Sequence, residues 1–269
     1  MERLLLTGAA GKIGSVLRRG LVDTADTLRS FDRAEIPGLA ANEEALRGDL
    51  RDPDDVARAV ADVEVIVHLA GVPVEAPFAE VVEHNILGTH QLLEAARHAG
   101  VRRVVFASTN HVVGFHPTAR RLDAGSPPRP DTYYGVSKLA DEGLLSLYAD
   151  KFGLEAVSVR IGSCLERPVQ RRHLATWLSH RDAVHLFEVC ATAPLTGHLV
   201  VYGVSANTRS RWDNQIATDL GYTPTDDAER FLDEVERLDP PGDADLDDPA
   251  EHHHGGEYVG WNQAAYGPR

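Results

Sequence analysis

RLLLTGAAGKIG, residues 3–14, places three evenly spaced glycines directly after an apolar run. Arg3–Thr7 has the composition of a strand and Lys12–Leu21 the spacing of an amphipathic helix, so the glycines fall in the turn between them. Glycine there permits a tight bend, close approach of the backbone to a ligand and close packing of the helix on the sheet. The unpaired N–H groups at the start of the helix favour a pyrophosphate. The segment therefore predicts a dinucleotide site contacted by Gly8, Gly11, Lys12, Ile13 and Gly14.

Strands and helices alternate along the first 160 residues. Besides Arg3–Thr7, the predicted strands are the short apolar runs Thr27–Phe31, Ala45–Gly48, Val63–Leu69, Val101–Ala107 and Ala156–Arg160. Besides the first, the predicted helices are one that opens at Asp52-Pro53, with Asp as cap and Pro as first helical residue, then Phe78–His98 and Thr132–Phe152. This alternation is typical of βαβ units and predicts an α/β fold, a doubly wound parallel sheet of the Rossmann type.

The alternation changes after Ile161. Short helices are predicted over His173–Ser179, Ala183–Cys190, Trp212–Leu220 and Ala228–Leu238, with one strand over His198–Gly203. An acidic, turn-rich stretch over 239–251 predicts a solvated loop. We expect residues 1–160 to bind the dinucleotide and residues 161–269 to form a small substrate-binding cap and tail, interleaved with the sheet rather than independent of it.

Composition and charge exclude several classes of protein. The 43% of apolar residues in a chain of 269 permit a buried core. A net charge of -14 argues against nucleic acid or an anionic membrane as a partner, although -6 of it comes from the stretch between Leu238 and Arg269. The two cysteines, Cys164 and Cys190, do not provide a disulfide framework, and we find no apolar run typical of a membrane helix or a signal peptide. We therefore expect a cytoplasmic protein.

Further contacts to the cofactor are expected where the second and fourth strands end. Asp32 closes the second strand, where a carboxylate accepts both hydroxyls of the adenosine ribose and repels a 2′-phosphate. This favours NAD over NADP, although Arg33 beside it would tolerate a phosphate. The remaining candidates are Asp49, placed to bond the adenine amine, Leu50 beside it, and Leu69, Ala70 and Gly71, at the end of the fourth strand.

Tyr134 and Lys138 predict a catalytic pair. They are four residues apart in a predicted helix and therefore project from one face, although exposed pairs of this spacing are also common. A tyrosine with a pKa of about 10 is a poor base, and a nearby ammonium stabilises its phenolate. Lys138 would also bond the nicotinamide ribose. Thr109, near the end of the fifth strand, is expected to orient the reacting oxygen, with Ser108 as the competing choice.

Together these motifs resemble the short-chain dehydrogenase/reductase superfamily on its extended, epimerase-like side. Five longer segments resemble one group within it, the uronate dehydrogenases: FASTNH (106–111), RIGSC (160–164), RHLATWLSH (172–180), VYGVSAN (201–207) and GGEYV (255–259). The resemblance implies NAD-dependent oxidation of the anomeric carbon of glucuronate or galacturonate to an aldarolactone. It also implies a homo-oligomer. Thr109 departs from the group, in which we expect serine at that position.

The substrate that the resemblance implies is a sugar ring with one carboxylate. The planar fork of an arginine binds a carboxylate bidentately, and Arg172 is the matching position, with Arg171 as the fallback. The groups expected to meet the ring are Asn110, His111 and Ser163, with Tyr258 as an aromatic cover. No metal is expected, because His252-His253-His254 lacks a second cluster of ligands at a suitable spacing.

In the implied reaction the Tyr134 phenolate takes the proton of the hemiacetal hydroxyl while Thr109 and Asn110 hold the oxygen, which gives a lactone directly. Three alternatives stay open on the sequence. A nucleotide-sugar epimerase or dehydratase would need a larger C-terminal region, and a non-catalytic NAD(P)-sensing protein would lack the Tyr134–Lys138 pair. An oxidoreductase for another small sugar would leave Arg172 with a different anion.

Overall fold

Seven parallel strands form one sheet through the centre of the molecule. The computed structural model describes residues 1–240 and 249–260. The strands of this sheet are β1 (Arg3–Thr7), β2 (Thr27–Asp32), β3 (Glu43–Arg47), β4 (Val65–His68), β5 (Arg103–Thr109), β6 (Glu155–Ile161) and β9 (His198–Gly203), and a separate short pair consists of β7 (Ser163–Cys164) and β8 (Trp177–Leu178). The order β3-β2-β1-β4-β5-β6-β9 reverses direction between β1 and β4, which is where doubly wound sheets bind ligands.

Helices cover both faces of this sheet. They are α1 (Lys12–Gly20), α2 (Pro53–Val60), α3 (Phe78–Val81), α4 (Gly88–Ala99), α5 (Tyr133–Phe152), α6 (His173–Thr176), α7 (His180–Thr192), α8 (Gln215–Asp219), α9 (Leu232–Leu238), α10 (Pro249–His252) and α11 (Glu257–Gly260). One apolar core lies between the sheet and α1 and α7, and a second lies between the sheet and α2, α4 and α5. The predicted doubly wound α/β fold is confirmed. No helix of the described ranges is long and apolar enough to cross a membrane.

The central strands β1 and β4 are nearly continuous apolar runs because both of their faces are buried. In β1, Leu4 and Leu6 belong to the core under α1 and α7, whereas Leu5 belongs to the core under α2, α4 and α5. Successive side chains of a strand point to opposite faces, so a run of leucines serves both cores at once. This is why β1 and β4 were recognisable from composition, whereas the edge strand β3, with two glutamates and no buried residue, gave a weaker signal.

The local signals for helix ends are confirmed. Asp52 caps α2 by accepting from the N–H groups of Asp54 and Asp55, and Pro53 is its first residue. Gly100 ends α4 with a φ of 75°, in the left-handed region that favours glycine. Predicted strand ends lie within two residues of the observed ones. Helix α7 begins three residues earlier than predicted, because Ser179 caps it by accepting from Asp182 N–H.

Four predicted helices are wrong in part. The one predicted over Ala228–Leu238 begins with a 3₁₀ turn, Ala228–Phe231, and α9 follows it. The long helix after Phe78 contains a π-helical turn, Val82–Leu87, between α3 and α4. The helix predicted over His173–Ser179 ends at Thr176, because Trp177 and Leu178 pair as β8 with β7. The helix predicted from Trp212 begins only at Gln215, since the side chain of Asn214 bonds both backbone groups of Tyr202 on the edge strand β9.

The region after residue 160 contributes to the sheet rather than standing apart. Strand β9 pairs with β6, and α7 packs against α1. The exact division at residue 160 stays a prediction. Of the acidic loop predicted over 239–251, residues 241–248 lie outside the described residues, and the loop prediction is wrong for 249–251, which belong to α10.

Candidate active site

The glycine turn closes tightly around the end of β1. Gly8 has a φ of +70°, and a Cβ there would lie 2.8 Å from Ala70 N. A Cβ on Gly14 would lie 2.0 Å from the carbonyl oxygen of Gly8. Among the described residues no side chain caps the start of α1, although the caps of α2, α5 and α7 are side chains. The backbone N–H groups near Gly11, Lys12 and Ile13 are thus suited to an anionic ligand such as a pyrophosphate.

Asp32 is fixed beside this turn. Its Oδ2 accepts from Ala10 N–H at 3.0 Å, and its Oδ1 accepts from Ala34 N–H at 2.9 Å. Two backbone donors fill part of the carboxylate's capacity and leave lone pairs for ribose hydroxyls. The structure therefore places Asp32 where the sequence predicted it, at the end of β2 and against the glycine turn.

Asp49 and Leu50 are placed differently from each other. Arg51 holds the Asp49 carboxylate with its Nε and Nη2, and this pairing lowers the pKa of Asp49 to about 2. The Asp49 carboxylate is thus already paired with the Arg51 guanidinium. The sequence predicted a bond from Asp49 to the adenine amine and did not predict this pairing. Leu50 is buried in the core under α2 and α4, so its side chain supports the wall of the site.

The end of β4 is fastened by one threonine hydroxyl. Thr7 Oγ1 accepts from the N–H groups of Leu69 and Ala70, both at 3.2 Å, and donates to His68 Nδ1 at 2.7 Å. A Cβ on Gly71, the next residue, would lie 2.7 Å from Asn85 Oδ1. The backbone of the predicted Leu69-Ala70-Gly71 contact is therefore held rigidly at the point where the sheet order reverses.

Tyr134, Lys138 and Thr109 come together as predicted. Tyr134 is buried at the start of α5, and Thr109 at the end of β5 lies within hydrogen-bonding reach of its hydroxyl. The Lys138 Nζ lies 5.9 Å from the Tyr134 ring centroid and 4.4 Å from that of Phe106. Burial raises the pKa of Tyr134, and the hydrogen bond with Thr109 opposes this shift. An unassisted Tyr134 is therefore protonated, and a cation is needed to make it a base.

The competing hydroxyl, Ser108, points elsewhere. Its Oγ donates to Glu142 Oε1 at 2.6 Å, and Glu142 is bound in turn by Arg160 through two charge-assisted hydrogen bonds. Neighbouring residues of a strand face opposite sides of the sheet. Thr109 is thus the hydroxyl on the Tyr134 side.

A buried carboxylate, Asp141, lies one helical turn beyond Lys138 and was not predicted. Burial raises the pKa of Asp141 and lowers the pKa of Lys138, and the attraction between their charges opposes both shifts. The spacing of three residues on the buried face of α5 was the available signal. Asp141 thus helps to keep the ammonium of Lys138 charged inside the protein.

Asn110 and His111 form the start of a 3₁₀ turn, Asn110–Val113, directly after β5. His111 Nδ1 donates to Asp131 Oδ2 at 2.9 Å, which orients its ring. The His111 ring centroid lies 6.2 Å from that of Tyr134 and 4.3 Å from that of Tyr258. The three rings therefore border one space, as expected of groups that meet a sugar.

Arg172 stands before α6 and is partly buried. Its Nε has no hydrogen-bond partner within the described part of the chain. Burial lowers the pKa of Arg172, and the charges of Glu257, Tyr258 and Asp131 oppose this. A partly buried cation with an unpaired donor is suited to an anionic ligand. A cavity of about 380 Å³ opens beside Arg172. Among the described residues its lining includes Arg209, Arg211, Trp212 and His254 but not Tyr134, Thr109 or His111.

Two of the other predictions have a simple outcome. Ser163 Oγ pairs with Thr176 Oγ1 at 2.9 Å, so its hydroxyl is already engaged with α6. Arg171, the fallback for the carboxylate, is exposed, and its backbone N–H donates to Asp239. Within the described residues no group of three His, Cys, Asp or Glu side chains is arranged to hold a metal ion.

Glu75 and Asp131 were missed entirely. Glu75 accepts from the N–H groups of Tyr133 and Tyr134 at 3.1 and 2.9 Å and so caps the helix that carries the catalytic tyrosine. Asp131 orients His111. Glu75 is 59 residues from Tyr134, and no local motif marks either carboxylate. Only the folded chain brings them to the site.

Comparison with known proteins gives consistent matches. Residues 4–173 match the NAD dependent epimerase/dehydratase family. The uronate dehydrogenase of Pseudomonas syringae pv. tomato is 47% identical over 259 residues, which cover 96% of this chain and 93% of the relative. The crystal structure of uronate dehydrogenase from Agrobacterium tumefaciens is 44% identical with a TM-score of 0.92, covering 97% of this chain and 98% of that one, and a mutant of that enzyme is complexed with NAD. A glucuronic acid dehydrogenase from Chromohalobacter salexigens is 43% identical with a TM-score of 0.93, covering 97% of both chains.

Proposed function

This chain belongs to the NAD-dependent epimerase/dehydratase family and within it to the uronate dehydrogenases, and from that premise we propose that it oxidises the anomeric carbon of a hexuronate to an aldarolactone. The chain is an NAD-dependent dehydrogenase. Glucuronate and galacturonate are the substrates we favour. One observation carries the choice: Arg172 is a partly buried cation that interacts electrostatically with Tyr258 and Asp131, which contact His111 beside Tyr134.

The residues present fit a dinucleotide. The uncapped start of α1 and the turn at Gly8 and Gly14, where a Cβ would clash with backbone, accept a pyrophosphate. Asp32 favours the free hydroxyls of NAD over the 2′-phosphate of NADP. When bound, NAD supplies the acceptor for the hydride that leaves the anomeric carbon.

Tyr134 acts as the general base. Its phenolate takes the proton of the anomeric hydroxyl, the C–H bond breaks with loss of hydride, and the carbonyl of the lactone forms in the ring that was already closed. Lys138 stabilises the phenolate by its charge, and Thr109 orients the reacting oxygen through its hydroxyl. Burial excludes water from the pair, which strengthens the effect of the lysine's charge.

Arg172 binds the carboxylate of the uronate. A partly buried guanidinium is stabilised when two parallel hydrogen bonds pair it with a carboxylate. Asn110 and His111 meet ring hydroxyls, with His111 held in place by Asp131. A neutral sugar lacks the group that Arg172 requires, so the site selects for the acid. Similarity to dehydrogenases over nearly the whole chain also disfavours the epimerase and the non-catalytic alternatives.

The test is NADH formation with glucuronate, galacturonate and glucose, with proton NMR of the early product. We expect both uronates to be oxidised, glucose to be a poor substrate, and a lactone to appear before the open-chain diacid. Turnover of glucose at a rate comparable to the uronates would remove the role assigned to Arg172. An open-chain diacid as the first product would contradict oxidation of the closed ring.

A further inference from the structure

Residues 252–259, which we call the strap, run along the loop that follows β5. The backbone of the strap bonds this loop at three points: Thr118 N–H donates to His252 O, His254 N–H donates to His116 O, and Gly255 N–H donates to Gly114 O. We infer that His254 is a positioning residue that seats the strap against the sugar-binding half of the site, a role that rests on the proposed function.

Both ring nitrogens of His254 are engaged, and the residue is only 4% exposed. Trp212 Nε1 donates to His254 Nδ1 at 3.1 Å, and His254 Nε2 donates to the carbonyl oxygen of Arg120 at 3.0 Å. An indole can only donate and a carbonyl can only accept, so these two bonds require the neutral ring with its proton on Nε2. The imidazole therefore bonds the strap to two separate segments, one through Trp212 and one through Arg120.

The surroundings of His254 keep its ring neutral. Burial lowers the pKa of His254, and the nearby charges of Arg211 and His116 lower it further, while backbone contacts with Arg120 and Pro117 oppose this. The indole of Trp212 is stacked between Tyr202 and the imidazole. In a protonated ring Nδ1 would carry a hydrogen and could no longer accept from Trp212 Nε1. The neutral form is therefore the one that holds the strap.

The strap contacts three of the residues assigned to the sugar. The carbonyl oxygen of His254 accepts from Asn110 Nδ2 at 3.2 Å. Gly256 lies against the Arg172 guanidinium so closely that a Cβ would be 2.8 Å from Nε. Tyr258 covers the His111 ring at 4.3 Å.

The cofactor half of the site is held by other bonds. Asp32 is fixed by backbone donors of its own, and Thr7 fixes the backbone after β4. Displacing the strap should therefore weaken binding of the sugar and leave binding of NAD unchanged. A loss of general stability would affect both.

The experiment compares His254→Ala and His254→Asn with the wild type and with His185→Asn as a matched control. His185 lies on α7 and pairs with Thr223, away from the strap. We expect His254→Ala to raise KM for glucuronate about tenfold while KM for NAD changes less than about twofold, since the loss of two buried hydrogen bonds acts on the sugar side alone. His254→Asn, which can keep the acceptor for Trp212, should give an intermediate KM, and His185→Asn should match the wild type.

Equal changes in both KM values, or no change in KM for glucuronate, would overturn the inference. If His254→Ala does not fold, Trp212→Phe removes the indole donor together with part of the ring that stacks on Tyr202, and it should raise KM for glucuronate about threefold while KM for NAD stays unchanged. Limited proteolysis with mass spectrometry separates this inference from the proposed function. A wild type that does not oxidise uronates contradicts the function, whereas cleavage within the strap that is no faster in His254→Ala than in the wild type contradicts the role of His254.

Discussion

In the proposed mechanism the chemistry depends on Tyr134, and the environment of this residue makes its phenol a weak acid. Burial raises its pKa, so the base form requires Lys138 and the positive charge of an oxidised nicotinamide. The hydrogen bond with Thr109 lowers the pKa of Tyr134 and so also favours the base form. The pair lies on one face of α5, one turn apart, with the Lys138 ammonium 5.9 Å from the centre of the Tyr134 ring.

Tyr134→Phe should lower kcat about a thousandfold, because it removes the general base but keeps the ring and its packing. Binding of NAD, followed by fluorescence or calorimetry, should change little. In the wild type kcat/KM should rise with pH, since the active form is the deprotonated one and burial raises the pKa that must be passed. A variant that retains near-normal turnover would show that another group takes the proton.

At the residue scale the sequence revealed the groups that lie within local motifs. The glycine turn and the Tyr134–Lys138 pair were predictable because their spacing along one strand or helix fixes their geometry. Glu75 and the partners of His254 were not predictable, because they reach the site from distant loops, and the pairing of Asp131 with His111 joins residues 20 apart in the sequence. The choice between Ser108 and Thr109 needed the register of β5 on the sheet, which composition does not give.

At the scale of elements, the start of α5 has two kinds of cap. Thr132 Oγ1 accepts from Gly135 N–H, and the Glu75 carboxylate accepts from the N–H groups of Tyr133 and Tyr134. A carboxylate at the N-terminus of a helix is also favoured by the helix dipole. The loop after β4 is thereby tied to the backbone of the catalytic tyrosine.

Glu75→Ala should lower the free energy of unfolding by about 1 kcal/mol, the usual cost of losing an N-terminal cap. It should also lower kcat several-fold, because the first turn of α5 positions the Tyr134 hydroxyl. Urea unfolding and steady-state kinetics check the two effects. Glu80→Ala, at an exposed carboxylate in α3, is the control. A decrease in stability without any change in kcat would confine Glu75 to a structural role.

The regular elements were predictable where local signals decide them, as at Asp52-Pro53 and Gly100. Helix boundaries were not predictable where a tertiary contact overrides the local sequence pattern. The π-helical turn accompanies the side chain of Asn85, which accepts from Val72 N–H and donates to Ser137 Oγ. Asn214 bonds the edge strand β9 and so delays the start of α8.

At the scale of the whole molecule, stability depends on a histidine in the middle of the sheet. His68 is fully buried between Thr7 and Thr89, and burial lowers its pKa to about 3. Between that value and the ordinary pKa of about 6.5 the unfolded chain binds a proton that the folded chain does not. The free energy of unfolding should therefore decrease as the pH falls below about 6.5.

His68→Gln should reduce this dependence, because glutamine can bond both threonines without titrating. The contribution of one histidine is about 1.4 kcal/mol for each pH unit within the window. Urea unfolding at a series of pH values from about 6.5 down to 5 measures the slope of stability against pH. A slope in the variant equal to that of the wild type would show that His68 is not the group that titrates on unfolding.

Two cores and one seven-stranded sheet bring the cofactor turn, the catalytic pair and Arg172 to one edge of the molecule. We infer that this edge selects a uronate through its carboxylate. The most direct measurement is the ratio of kcat/KM for glucuronate to kcat/KM for glucose, in the wild type and in Arg172→Met. We predict that the substitution lowers this ratio about a hundredfold, since a bidentate bond to a charged group is lost for glucuronate alone. Equal losses for the two sugars, or an unchanged ratio, would contradict the account.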